Sequence, residues 1–554
     1  MASELPDALE KLALKAERSE NEQGTSLSKY FGQPDITDDI FDTISKPPSS
    51  GNDEPKINFF KSPSSTPVKE DTRQNNTPTF AFKKGEEESE PKIFSYFSQT
   101  PVANQSDKSA DGTEFFDQIS QLASNQSQKR ASNWWIPNPS IQQWLQSPGS
   151  IPPENLKLCY PGLLSTTEFT DPIRELLRHF DGEAAASERQ SLTADMVTQD
   201  DKGIRDLIKV GCFRAAANLC GRLLTVYGQG HGKVGQPSKH TPHTLQLWLT
   251  RLALLKKSNL VEMAVNELVA FGELDSPDLY FEYYPELSSS KNRGTMVPFA
   301  LRLLAAELPA HHNRINEAHA KLCRLLSTVR RILRDVDRFA TADGMNEEEQ
   351  KEALTIWSRR EISVMQALID CSVMKKDYHN AVQLLKKQLH TAERPPTPAL
   401  YSTLGRLYLQ IGDVQLAQQA FNAAADLRDV NRPTDVVDSL TDAGLVAIAQ
   451  NAFIEALGYF QQALALQPED PVLVNNTAVC LLYVGRMRDG MLLLEENLGT
   501  KPDTMIRDET VLNVCTLYEL ESSLTAQRKL GMLRLASQWR NDNLNVASFK
   551  LQIP

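Results

Sequence analysis

Between Pro398 and about Pro502 the apolar positions recur at helical spacing in paired runs separated by short polar breaks. Tyr401, Leu404, Gly405 and Tyr408 precede Gly412-Asp413, and Ala417, Phe421 and Ala424 follow. The series returns as Leu440, Gly444 and Ala447 before Asn451, then Ala456, Phe460, Ala463 and Pro468. It returns again as Val474, Ala478 and Leu481 before Gly485, then Gly490, Leu494 and Pro502. The second and third copies start 34 residues apart, at Val437 and Pro471. The first starts 39 residues before the second, which places a five-residue insertion near Val430–Asp435.

A 34-residue period with small residues at the 8th and 20th positions, a large apolar one at the 24th and Pro at the 32nd is the tetratricopeptide (TPR) pattern. Two antiparallel helices approach closely only where small side chains meet, here Gly405/Ala417, Gly444/Ala456 and Ala478/Gly490. The large residue at position 24 is expected to fill the gap between one repeat and the next. Pro468 and Pro502 end the second helix of their pairs, because Pro lacks an N–H and clashes with the preceding turn.

Upstream the helical spacing continues with more drift. Gly203–Thr225 reads as a second TPR helix, with Gly211, Phe213, Ala216 and Cys220 in register. Leu245–Phe271 is a fuller pair, with Trp248, Leu252, Ala264 and Leu268 in register. Further pairs are expected over Phe299–Asp335 and Glu347–Glu393, and a divergent last pair over Thr510–Trp539. Irregular chain is expected at Asp278–Glu286 and Gly294–Phe299.

Before about Arg130 the pattern changes. The chain there has no Cys or Trp and is rich in Ser, Thr, Asn, Gln, Pro and charge. Such sequence buries too little apolar surface to offset its ordering entropy, so a disordered tail is expected, with a short helix at most over Pro6–Ser19. The tail carries aromatic islands. Asp39–Ser45 (DIFDTIS) and Glu114–Ser120 (EFFDQIS) are near copies, and Ile57–Phe60 and Phe94–Phe97 are others. They have the form of anchors for a groove, or of drift in low-complexity sequence. Ser62, Thr66, Thr77 and Thr100 each precede Pro and are candidate phosphosites; Thr66-Pro67-Val68-Lys69 fits a proline-directed pattern with a basic residue at plus three. Asn133–Ser150 holds Trp134, Trp135 and Trp144, too apolar for free coil, and is expected to pack as an irregular arm on the helical body.

The domain reading is a tail over 1–130, a Trp/Pro-rich arm over 131–195, a divergent TPR-like region over 196–360, and TPR repeats with a divergent cap over 361–554. The fold class is all-α, a TPR-type helical-repeat solenoid preceded by a long disordered N-terminal tail. A chain of 554 residues is too long for one core, which fits a solenoid.

Charge and chemistry narrow the function. The net charge is −12 and no basic stripe stands out, so nucleic-acid binding is not expected. The most apolar stretch, Met296–Leu308, carries Arg302 and Glu307, so no membrane insertion is expected. The acidic start implies no signal peptide. Seven cysteines without a C-x-x-C read as reduced core residues of an intracellular protein. Gly228–Lys233 tempts toward a phosphate loop, but Val234 stands where Ser or Thr is needed and a helix precedes it; a flexible interhelical loop is expected instead. His240/His243 and His311/His312 lack partners at ligand spacing. No nucleophile motif is present, so no catalytic residue, metal or cofactor is expected.

A TPR concave groove is read at positions 2, 5, 6 and 9 of each repeat. Candidate partner-binding residues there are Arg406, Asp438, Asp442, Asn475 and Asn476. Clamping an acidic C-terminal carboxylate needs several cations, and only Arg406 qualifies, so a co-chaperone role is disfavoured.

The stretches Gly221–Thr225 with Gly228–Lys233, Leu245–Leu255, Asp278–Pro285 (DLYFEYYP) and Gly294–Phe299 (GTMVPF) resemble the subunit 12 family of the trafficking protein particle (TRAPP) complex. So do Leu404–Asp413, Asn475–Gly485 and Leu517–Ser523. The resemblance covers about Asp200 to Ser523 in the family's order; the chain before about Ser165 has no such match. It implies a non-catalytic scaffold of the TRAPP III vesicle-tethering assembly in endoplasmic reticulum-to-Golgi transport. Its partners would be large subunits 8 and 11 and subunit 13, with indirect Rab GTPase and membrane association. It implies a cytoplasmic protein at the intermediate compartment and Golgi, in part nuclear, with a phosphorylation-controlled mitotic role for which Thr66 would suit. The alternative is a free-standing TPR receptor for short or phosphorylated peptides; a hydrolase is a distant third.

Overall fold

The computed structural model describes residues 130–145, 157–272, 274–288, 293–390, 396–521, 524–539 and 541–551. The expected disorder, the aromatic motifs, the Pro6–Ser19 helix and the four candidate phosphosites lie outside the described residues.

Among the described residues the chain is all-α, a TPR-type helical-repeat solenoid. Its sheet-like feature is an isolated antiparallel bridge between Tyr280 and Thr295. The leading helices are α1 (Pro139–Leu145), α2 (Pro172–Phe180) and α3 (Gly182–Glu188). The upstream pairs are α4 (Asp201–Val210) with α5 (Phe213–Val226), α6 (Pro242–Lys257) with α7 (Val261–Val269), and α8 (Phe299–His311) with α9 (Ile315–Arg334). After α10 (Val336–Asp343) comes the long α11 (Glu347–Met374) with α12 (Tyr378–Leu389). The clear repeats are α13 (Pro398–Ile411) with α14 (Val414–Leu427), α15 (Pro433–Ala449) with α16 (Phe453–Leu466), and α17 (Pro471–Tyr483) with α18 (Met487–Thr500). A short α19 (Pro502–Met505) leads to the last pair, α20 (Asp508–Glu521) and α21 (Thr525–Ser537).

Local chemistry sets these boundaries. Pro398, Pro433 and Pro471 open their helices at the first position, where the missing N–H costs nothing. Asp413 and Asp470 cap the helices that follow by accepting from Leu416 N and Val472 N. Asn346 and Glu349 form a reciprocal capping box at the start of α11. Gly412 closes α13 in the left-handed conformation, φ 92°, where a Cβ would be strained.

The aromatic at position 24 packs on the glycine of its own repeat. A Cβ built on Gly405 would come within 2.5 Å of the Phe421 ring, and one on Gly444 within 2.7 Å of Phe460. The glycine is therefore a seat for the ring as well as a helix crossing. The inserted residues fall in the loop after α14 and in an extra first turn of α15.

Cores follow one another along the solenoid. One runs from Cys159 to Leu308, the next joins Ala131 and Trp134 to residues 303–371, and the third spans Ile369 to Leu481. The fourth joins Val474–Phe549 to Ile173, Leu176, Leu177 and Ala186 of α2 and α3. The last helices thus pack against α2 and α3, and the solenoid closes on itself. Hydrophobic burial holds each junction at roughly 1.5–3 kcal/mol per large apolar side chain.

The segment after α5 is not the free loop expected. Gln229 is buried and accepts from Trp248 Nε1 at 2.7 Å, and Leu163 N donates to Gly230 O at 3.2 Å. The loop is pinned on both sides.

Candidate functional site: a polar inner spine and a closing latch

The five expected groove residues do not form an open groove. Arg406, Asp442, Asn475 and Asn476 are buried, and Asp438 is half-buried. Most of their polar atoms are used within the chain. Arg428, delivered by the loop after α14, donates through Nη2 to Asp442 Oδ2 at 2.9 Å and to Ser402 Oγ at 2.7 Å. Ser402 Oγ donates to the same Asp442 oxygen at 2.6 Å, and Arg406 Nη2 lies 3.5 Å from Oδ1. One carboxylate is therefore shared by two guanidiniums across the α13–α15 boundary. Further along, Asn513 Nδ2 donates to Asn475 Oδ1 at 2.7 Å, linking α20 to α17. The Oδ1 of Asn476 meets no donor among the described residues. Buried polar groups arranged this way fix the register of successive helices, because leaving any of them unpaired is costly.

A second constellation joins the two ends of the solenoid. Arg189 is buried and paired with Asp171 at 2.5 Å. Its other nitrogens donate to backbone oxygens of the C-terminal segment: Ser537 at 3.0 Å, Trp539 at 2.7 Å and Asn541 at 2.8 Å. Asp542 then caps α5 from more than three hundred residues away. Its carboxylate accepts from Phe213 N at 2.7 Å, Arg214 N at 2.9 Å and Ala215 N at 3.2 Å. Burial pushes the Asp542 carboxyl up to about 7, and the three amides pull it back. Arg534 adds a bidentate pair to Asp181 at 2.7 and 2.8 Å. Nothing in the sequence pairs these residues: Asp542 sits in a polar run after the last helix, and Arg189 in an unpatterned loop.

The Trp-rich arm lies on the helical body. Trp134 stacks on Phe339 with centroids 5.3 Å apart and donates to Asp343 Oδ2 at 2.6 Å. The Arg302 guanidinium covers the Trp135 ring at 3.9 Å. Arg360 lies over Trp357 at 4.4 Å and gives both of its 3.2 Å bonds to Ser132 O. Burial, then the neighbouring charge of Arg302, push Arg360 down to about 9. Trp144 meets Tyr283 at 6.2 Å. Deeper in the upstream region, Arg251 and Glu267 form a fully buried bidentate pair at 2.7 and 2.8 Å.

Among the described residues no group of three His, Cys, Asp or Glu is placed to hold a metal ion. His240 is buried and bonds Cys159 O at 2.8 Å, while His243 is partly exposed beside Asp201 at 3.8 Å. The cysteines are all free thiols, and burial pushes Cys220, Cys480 and Cys515 up to about 12, far from a thiolate nucleophile. A shallow cavity of ≈ 500 Å³ lies between Tyr160, Pro237, Tyr283 and Tyr284, its rim held by the Lys239–Glu286 ion pair. No described helix is long and apolar enough to cross a membrane.

No family model matches the chain. It is 35% identical to human trafficking protein particle complex subunit 12 over 438 residues, covering 76% of this chain and 58% of that protein. To the mouse subunit 12 it is 35% identical over 440 residues, covering 76% and 54%. The chain thus spans a little over half the length of the curated relatives it matches. Among solved structures it is similar to the Cut9–Hcn1 hetero-tetramer of the APC/C, at 13% identity, 64% and 55% coverage and a TM-score of 0.26. It is also similar to YrrB, a TPR protein with an unusual peptide-binding site, at 16% identity, 36% and 86% coverage and a TM-score of 0.21. With a third of its residues identical over three quarters of its length, the chain belongs to the family of trafficking protein particle complex subunit 12.

Proposed function

We propose that the chain is a non-catalytic scaffold subunit of a trafficking protein particle complex. The observation that carries this reading is the use made of the polar interior. The groove positions are spent on repeat-to-repeat contacts around Asp442 and Asn475, and the ends are tied together by Arg189 and Asp542. With those positions buried the helical body presents its outer surface, and building an assembly needs no site chemistry. The finer reading is the TRAPP III tethering assembly in endoplasmic reticulum-to-Golgi transport. Large subunits 8 and 11 and subunit 13 would be direct neighbours, and membranes of the intermediate compartment and Golgi would be reached through them. The proline-directed positions Ser62, Thr66, Thr77 and Thr100 would be the regulated part.

The test is a tagged full chain recovered from lysate, sized by gel filtration and identified by mass spectrometry, beside a variant without residues 1–129. Co-elution of both with the large subunits at the size of an assembly supports the scaffold. Elution of both as monomers, with partners lost on tail removal, overturns it in favour of a free-standing peptide receptor.

A further inference from the structure

The sequence shows no basic stripe, yet folding assembles one. From Glu317 to the end of α9 there is no acid, while Lys321, Arg324, Arg330, Arg331 and Arg334 punctuate the helix. Arg324, Arg331 and Arg334 are exposed, and Arg338 continues the face one turn into α10, also exposed. Lys321 pairs with Glu317 at 2.8 Å and Arg330 with Glu361 at 2.6 Å, and the exposed Asp335 and Asp337 stand between Arg334 and Arg338, Asp337 accepting from Gln350. Arg331 and Arg338 have no ion pair among the described residues. This concentration is unusual on a chain whose net charge is −12, and it was missed because its members are three to seven positions apart.

The described chain begins beside this face. Arg130 donates to Asp343 O at the end of α10, and Trp134 stacks on Phe339 of the same helix. Ten residues before Arg130 ends the Glu114-Phe-Phe-Asp-Gln-Ile-Ser120 motif, two acids flanking two aromatic rings. Ten extended residues reach roughly 35 Å, enough to pass the last two turns of α9. The half-buried Leu333 and Phe339 at that end offer apolar contact for the rings.

We propose that the 114–120 motif docks in cis on the α9–α10 basic face, with Glu114 and Asp117 against Arg331 and Arg338 and the phenylalanines against Leu333 and Phe339. This does not depend on the complex membership proposed above. Tethering makes it feasible. A short linker gives an effective concentration of about 1 mM, so an intrinsic dissociation constant of about 0.1 mM leaves the motif bound about tenfold over free.

The test is amide hydrogen exchange on the full chain at low salt. In the wild type, residues 114–120 exchange about tenfold more slowly than in the double variant R331E/R338E, and the protection returns when E114R/D117R is added to that variant. Raising the salt to 0.5 M removes it, because exposed charges are then screened. Thermal melting of each variant separates docking from misfolding, since these arginines are exposed and their reversal should leave the melt in place. Absence of protection in the wild type overturns the proposal, as does protection that survives the reversal. A face that instead binds phosphatidylserine vesicles or oligouridine, with the motif exchanging freely, also overturns it and reassigns the surface to membrane or nucleic acid.

Discussion

Replacing Asp542 with alanine should loosen the junction between the ends of the solenoid while leaving its middle intact. The carboxylate accepts the first three amides of α5, and no side chain at Cys212 caps that helix instead. Loss of a helix cap costs about 0.5–2 kcal/mol. The Ala215 amide is buried and the other two are part-buried, so losing their acceptor adds a further desolvation cost of roughly 1–3 kcal/mol. Against this stands relief from burying the carboxylate, the largest influence on its raised pKa. The amide terms should win, leaving a net loss of roughly 2–3 kcal/mol, because three donors are stranded for one charge removed. That corresponds to exchange about 30- to 140-fold faster at Phe213, Arg214 and Ala215, read by mass spectrometry on the full chain. The amides of α21 should follow, since Arg189 holds the same segment through Ser537 and Trp539. Those of α15 and α16 should not change. Wild-type exchange at Phe213–Ala215 would refute the latch, and a uniform rise across all repeats would refute its being local.

The Asp542 carboxyl also sets a pH slope. Its folded pKa of about 7 lies above the unfolded value near 3.9, so the folded form holds the proton more tightly. Its contribution is full below about pH 4 and is lost as pH rises toward 7; melting temperature against pH should show this slope, and Asp542→Asn should flatten it. Phe460→Ala should cost about 3–5 kcal/mol in denaturant unfolding, since the ring is fully buried on Gly444. Gly444→Leu should destabilise comparably or more, because even a Cβ would meet the Phe460 ring at 2.7 Å; an unchanged midpoint for either would put the repeat register in doubt. Arg360→Ala should release the Trp arm, read as faster amide exchange over residues 131–136 with the repeats unaffected.

Much of the helical architecture was legible because its signals are local. Gly412, Asp413 and the prolines at 398 and 471 speak to neighbours within one turn, and Gly444 with Phe460 repeats at a period that nothing but stacked pairs produces. The inner face was legible as a set of positions but not as a state. Positions 5, 6 and 9 of a repeat face inward in any TPR pair, yet whether they meet solvent depends on what the neighbouring loop brings. Here the loop after α14 brings Arg428, which turns Asp442 from a groove acid into the centre of a buried junction. Closure was illegible for a related reason. Asp542 and Phe213 are ordinary residues in their own neighbourhoods, and their meeting is decided by the curvature summed over every intervening pair. Curvature is a small rotation per repeat that sequence patterns do not encode. The same summation explains why function reads poorly from this chain's motifs. The groove positions that the repeat register singles out are buried in contacts between repeats, around Asp442 and Asn475, so their pattern reports packing.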